Sequence, residues 1–183
     1  RGGTVVIPAF AVGRAQSLIY DLWRLRRKGR LPNIPTYLDS PMASSASDLM
    51  HAYPDDHRLS AQDYEAACEG ITCVRDVEES KALSANRYPK IVISASGMAT
   101  GGRVLHHIAA LAPDHRNTLL FSGFQAAGTR GRKLLEGARE TRIHGRWVTV
   151  NAEVAELPML SAHADSDELM RWLSGFQKPP QRV

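Results

Sequence analysis

The sequence predicts an α/β fold: a mostly parallel, twisted sheet with helices on both faces. Two observations predict it. Apolar strand-like runs alternate with amphipathic helical patterns along most of the chain. The strand-like runs also end in turns built of Gly, Ala, Ser and Thr that lead straight into a helix, as βα units do. No internal repeat or low-complexity segment interrupts the pattern.

Taken in order, "TVVIPAF" (4–10) reads as a buried strand. The helix "RAQSLIYDLWRLRRKG" follows, with Leu18, Ile19, Leu22 and Leu25 on one face. "PTYLDS" (35–40) is the next strand, and Ser40 with Pro41 forms an N-cap and first-turn pair for "PMASSASDLMHAY". The polar middle carries a short helix near 61–69, a strand near 72–75 and a helix near 78–85. "KIVISAS" (90–96) runs into the helix "GGRVLHHIAALA", whose Val104, Leu105, Ile108 and Leu111 share a face. "NTLLFSGF" (117–124) runs into "TRGRKLLEGA". The period then changes, and "RIHGRWVTVNAEVAELPML" reads as two or three short strands. A last helix after His163 is apolar at Leu169, Trp172, Leu173 and Phe176 and is broken by Pro179 and Pro180.

At 183 residues, 43% hydrophobic and 23% charged, the chain can bury the core of one globular domain. No apolar run approaches the ~20 residues of a membrane span, so no membrane partner is expected. No signal-peptide pattern opens the chain either. The start reads directly as a strand and the end, "QKPPQRV", stops as another is about to begin, so the chain is expected to be part of a longer protein. Cys68 and Cys73 form a C-x4-C without the further Cys or His ligands of a structural zinc site. They read as ordinary thiols of a reducing, cytoplasmic compartment. Net charge is +4 with pI near 9.3, compatible with a polyanionic partner without demanding one.

In a parallel sheet, ligands meet the carboxyl ends of the strands. The turns there are "AFAVGRAQ", "LDSPMASS", "SASGMATGGR" and "SGFQAAGTRGR". Small residues admit a ligand close to the backbone, and free N–H groups at a helix start favour an anion. Arg14, Arg103, Arg130 and Arg132 could supply planar forks for phosphate, or could be solvated helix-start side chains. A cation is disfavoured at a helix N-terminus, which raises the functional reading for Arg14 and Arg103. "SASGMATGG" is a flexible βα loop on one reading and a phosphate-approach loop on the other. The run "RLRRKGR" (24–30) ends a helix, where cations complement the dipole, and reads as a solvated face.

His163 lies in "SAHADSDEL", just ahead of a capping box from Asp165 to Glu168. Its neighbours Ser161, Ala162 and Ala164 leave the ring room to meet a ligand, and a bound phosphate would favour the imidazolium. That suits general-acid work near neutral pH; a hydrogen-bonded loop histidine is the alternative. His51, His57, His106 and His107 lack metal-ligand spacing and read as structural.

Five motifs, "GGTVVIPAFAVGRAQ", "YLDSPMA", "ISASGMATGGRVLHH", "SGFQAAGTRGR" and "LSAHADSDEL", resemble in this order the β-CASP domain of the RNA-processing metallo-β-lactamase nucleases. These include bacterial and archaeal ribonucleases and the cleavage and polyadenylation endonuclease. The resemblance covers essentially the whole chain. It implies a Rossmann-like β-CASP domain at 1–175, lacking its N-terminal part, with 176–183 linking back to an absent metallo-β-lactamase domain of the same chain. The implied function is an RNA-binding clamp of a zinc-dependent ribonuclease that positions single-stranded RNA and supplies a catalytic histidine. His163 would be that histidine, supported by Asp165. Arg14, Ser96, Gly97, Met98, Gly101, Arg103 and Ser161 would contact RNA or its phosphates. Two zinc ions are implied for the parent enzyme. The family's His-x-His-x-Asp-His ligands, later metal-binding His and Asp, early acidic motif and final His-Gly-Glu turn are not found in this chain. By that resemblance the fragment holds no metal and is inactive alone.

Two other readings stay open. A non-catalytic β-CASP scaffold subunit of an RNA-processing complex would keep the fold without the chemistry. An unrelated nucleotide-binding domain is disfavoured, since no strand leads into G-x-G-x-x-G or a Walker lysine motif. The sequence leaves a homodimer open, as it does the RNA target and the choice between internal cleavage and 5′-end processing.

Overall fold

A computed structural model describes residues 2–158 and 163–178. Six strands form one sheet: β1 (Thr4–Pro8), β2 (Thr36–Asp39), β3 (Thr72–Cys73), β4 (Lys90–Ser94), β5 (Thr118–Phe121) and β8 (Glu153–Glu156). Their order is β3-β2-β4-β1-β5-β8, and every pairing is parallel. A separate antiparallel hairpin pairs β6 (Glu140–Ile143) with β7 (Arg146–Thr149). Its two-residue turn is His144-Gly145, both at positive φ, the geometry that matches strand twist.

The helices are α1 (Arg14–Arg27), α2 (Pro41–Ala52), α3 (Ala61–Glu69), α4 (Val77–Ala85), α5 (Val104–Leu111), α6 (Arg130–Leu135) and α7 (Ser166–Ser174), with a 3-10 turn at Pro54–Asp56. Alternation along the strands sorts them onto two faces. Ile7, Ile91 and Ile93 point one way and pack with Ala15, Leu18, Ile19 and Leu22 of α1, Ala43 of α2 and Ala67 of α3. Val6 and Val92, one residue out of phase, point the other way. Val6 packs with α5 and Leu134 of α6, Val92 with Leu83 of α4. This two-sided burial is why β1 and β4 read as continuous apolar runs.

Local signals set the helix starts. Ser40 Oγ accepts from Ala43 N at 3.2 Å with Pro41 in the first turn, as the sequence predicts. Asp165 and Glu168 form the predicted capping box, with bonds of 2.8 Å and 3.0 Å. The α5 expectation is corrected: Gly101 and Gly102 precede the helix, which begins at Val104. Gly102 sits at φ +75°, and a Cβ there would meet the Ala95 carbonyl oxygen at 2.5 Å. Gly102→Ala is therefore expected to destabilise by roughly 1–3 kcal/mol, read as a lower urea midpoint at unchanged m-value.

Candidate functional site

β1 and β4 are neighbours, but α1 leaves toward one face and α5 toward the other. Their carboxyl ends therefore open a crevice, the usual ligand position in such sheets. The loops after β1, β4 and β5 converge there. Ala9 N donates to Ser94 O at 3.0 Å. Gly97 is pressed against Phe10: a Cβ would lie 3.0 Å from both the Phe10 ring and its backbone nitrogen, so only glycine fits without displacement. Gln125, fully buried, donates Nε2 to Gly97 O and Gly123 O, both at 3.1 Å, joining the loops after β4 and β5. Gly131 N donates to Met98 O at 3.1 Å, and Arg130 donates to the carbonyls of Ala99 and Arg142. The segment 95–103 is thus held from both sides.

Within it, Ser96 Oγ lies 3.2 Å from Thr100 Oγ1 and accepts from Thr100 N. Gly97 is buried and Met98 half-buried, whereas Gly101 has open space where a Cβ would be. Arg14 is half-buried, and its Nε is shielded from solvent without a hydrogen-bond partner. His163 is exposed, its ring centroid 6.4 Å from that of Phe124 just beyond β5. The structure so brings His163 to the β5 turn, which Gln125 ties to the Gly97 loop. Asp165 is committed to capping α7. Ser161 lies outside the described residues.

Arg103 is drawn inward. Its guanidinium bonds Asp39 Oδ1 at 2.7 Å, Val74 O at 3.1 Å and Arg75 O at 2.8 Å. Asp39, fully buried at the end of β2, also accepts from Ser80 Oγ at 2.5 Å and from His107 Nε2 at 2.6 Å. His107 Nδ1 in turn meets Ser84 Oγ at 2.9 Å. Burial pushes the Asp39 carboxyl up, but the hydrogen bonds from His107, Ser80 and Arg103 outweigh it and hold the group below the usual carboxylate value. Arg103 thus turns inward and neutralises a buried carboxylate. His107 belongs to the same network and Arg130 to the loop clamp.

Residues the sequence analysis passed over are Phe10 and Phe124, 48% and 57% exposed beside the crevice. Exposed aromatic rings at a ligand end of the sheet are platforms on which bases can stack. The signal was present in "PAFAVGR" and "SGFQ", where an aromatic interrupts a run of small residues. A cavity of about 790 Å³ lined by Arg116, Leu134, Arg139, Asn151 and Val154 involves none of these loops.

Comparison with known families agrees with this geometry. The family model described as the Beta-Casp domain matches residues 15–134. The chain belongs to the β-CASP family. A second model, described as the Zn-dependent metallo-hydrolase RNA specificity domain, matches residues 147–183 and so includes the segment 176–183. Ribonuclease TTHA0252 of Thermus thermophilus is 39% identical over 184 residues, covering 96% of this chain and 42% of the relative. Transcription termination factor FttA of Methanosarcina mazei is 34% identical over 195 residues, all of this chain and 30% of the relative. An RNase J-like protein of Methanocaldococcus jannaschii is 32% identical over 182 residues, all of this chain and 42% of the relative. This β-CASP chain therefore spans less than half the length of these relatives.

Among the described residues no three His, Cys, Asp or Glu side chains gather to hold a metal ion. The described residues therefore do not by themselves fit a dinuclear zinc centre. Cys68 and Cys73 are free thiols. No described helix is long and apolar enough to cross a membrane.

Proposed function

We propose that this β-CASP chain is the RNA-binding clamp of a metal-dependent ribonuclease. In this reading it positions single-stranded RNA across the crevice between β1 and β4 and presents His163 to the scissile phosphate. The observation that carries the reading is the convergence of the Gly97 loop, exposed Phe10 and Phe124, and His163 at one end of the sheet. Family membership and the names of the relatives support it.

The crevice residues divide the work. Phe10 and Phe124 stack bases. Ser96, Gly97, Met98 and Gly101 let the backbone of the RNA approach closely, and the half-buried Arg14 offers its guanidinium to a phosphate. In phosphodiester hydrolysis an attacking water oxygen forms a new bond to phosphorus while the bond to the leaving oxygen breaks. A ring N–H of His163 delivers its proton to that leaving oxygen, avoiding an alkoxide, while the attacking water sheds its own proton to solvent, from which the ring is reprotonated. The two zinc ions implied for the parent enzyme would supply a polarised phosphate and an activated water, with ligands from outside the described residues. The metallo-β-lactamase part of the same protein is their proposed source.

Arg14 and Arg103 separate the binding role from the structural one. Arg14→Ala in the full-length protein is expected to weaken single-stranded RNA binding and to reduce the slope of log K against log salt by about 0.7. Arg103→Ala is expected to lower the thermal midpoint and leave that slope unchanged. Fluorescence anisotropy across a salt series decides between them, and an unchanged slope for Arg14→Ala would return that residue to structure.

A further inference from the structure

The carboxyl-terminal half of α1 carries a second feature that suits a polyanion. Residues 24–30 hold five cations: Arg24, Arg26, Arg27, Lys28 and Arg30. Arg26 turns inward, donating to Gly70 O at 3.1 Å, Ile34 O at 2.6 Å and Thr36 Oγ1 at 2.5 Å. It thereby pins this end of α1 to the start of β2, at the amino end of the sheet. Arg24, Arg27, Lys28 and Arg30 remain exposed. Arg24 lies over the Tyr20 ring at 5.5 Å and Arg27 over the Trp23 ring at 4.9 Å, while the two rings are 5.5 Å apart.

Elsewhere on the surface, arginines meet carboxylates closely: Arg75 with Asp48, Arg116 with Asp114 and Arg132 with Glu136, each at 2.7 Å. Here the nearest acids are at the limit of pairing, Asp21 at 3.8 Å from Arg24 and Asp63 at 3.9 Å from Arg27. The helix dipole accounts for cations in the last turn. It accounts neither for Lys28 and Arg30 beyond the helix nor for the rings beneath the guanidinium groups.

We propose that Tyr20, Trp23, Arg24, Arg27, Lys28 and Arg30 form a second docking surface for single-stranded RNA, at the end of the sheet opposite the crevice. Lys28 and Arg30, with the loosely paired Arg24 and Arg27, attract phosphates, and guanidinium planes backed by aromatic rings are faces on which unpaired bases stack. An acidic protein would use the charge but not the planes, so RNA is the better fit. Along α1 the surface begins about 9 Å from Arg14, at Tyr20, and reaches about 20 Å from it at Arg27. RNA long enough to leave the crevice and run along α1 would engage both. The inference rests on the proposed RNA-binding function and extends it to a distal track.

The test uses full-length protein and labelled single-stranded RNA of two lengths, one filling the crevice alone and one reaching the far end of α1. Arg27→Gln/Lys28→Gln/Arg30→Gln is expected to weaken long RNA at least tenfold at low salt and to reduce its salt slope by about 2, from three lost contacts. Short RNA should bind as before. Arg24→Lys/Arg27→Lys keeps charge and loses the planes; the slope should hold while long-RNA affinity falls about tenfold, the scale of a lost base stack. An unchanged slope in the triple variant overturns the surface, as does equal loss with both lengths. Polyglutamate competing better than RNA at this face would assign it to an acidic protein and likewise overturn it. Wild type that binds no RNA at any salt would instead remove the proposed function, and this surface with it.

Discussion

Replacing His163 with alanine in the full-length protein is expected to lower cleavage of single-stranded RNA by roughly 10²–10⁴-fold, the range for a lost general acid. Folding should change little, because His163 is exposed and removing its ring opens no core cavity. Cleavage of 5′-labelled RNA, wild type beside His163→Ala with a chelated control, reads this directly. RNA affinity should survive in the variant, since base stacking on Phe10 and Phe124 and the Arg14 contact are untouched in the proposed binding mode. A variant that cuts at near wild-type rate would remove His163 from the mechanism. Wild type that binds RNA and never cuts it would favour the scaffold reading, in which the "SAHAD" stretch is inherited without its chemistry.

Asp39→Ala is expected to cost about 3–5 kcal/mol of stability, because it strands the Arg103 cation with its partner carboxylate gone. Ser80 and His107 lose their shared acceptor in the same step. For a domain of this size that corresponds to a thermal midpoint lower by about 6–20 °C. Adding Arg103→Met to Asp39→Ala should recover part of the loss, since the stranded charge leaves as well; no recovery would mean that packing, not charge, sets the cost. The pH dependence has a definite sign. Asp39 titrates below its ordinary value of 3.8 in the folded state, so its contribution is complete above that value. It is lost as pH falls through the folded value, so wild type should approach the variant only in strong acid.

The order of elements was legible because period and punctuation agreed. Ser40-Pro41 and the Asp165–Glu168 box are local signals, and the structure uses both. The start of α5 was misread because Gly-Gly continues a helical pattern on paper. Only the left-handed backbone of Gly102 and its close approach to Ala95 reveal a loop. The small-residue turns and His163 stood out because such residues at strand ends have few packing roles. Phe10 and Phe124 did not, since an aromatic in an apolar run reads as core until its exposure is known.

By itself, then, the sequence determined the α/β class, the succession of strands and helices, the family and the turns that form the crevice. Each of those is written in local spacing and composition. Only the tertiary structure decided which of the arginines in these turns is drawn into a buried network. Arg14 and Arg103 occupy similar places in two βα turns, Arg14 as the first residue of α1 and Arg103 just ahead of α5. They differ because Arg103 is brought to a buried Asp39 by strand pairing between β2 and β4. That partner is 64 residues away in sequence, and no local pattern can announce it.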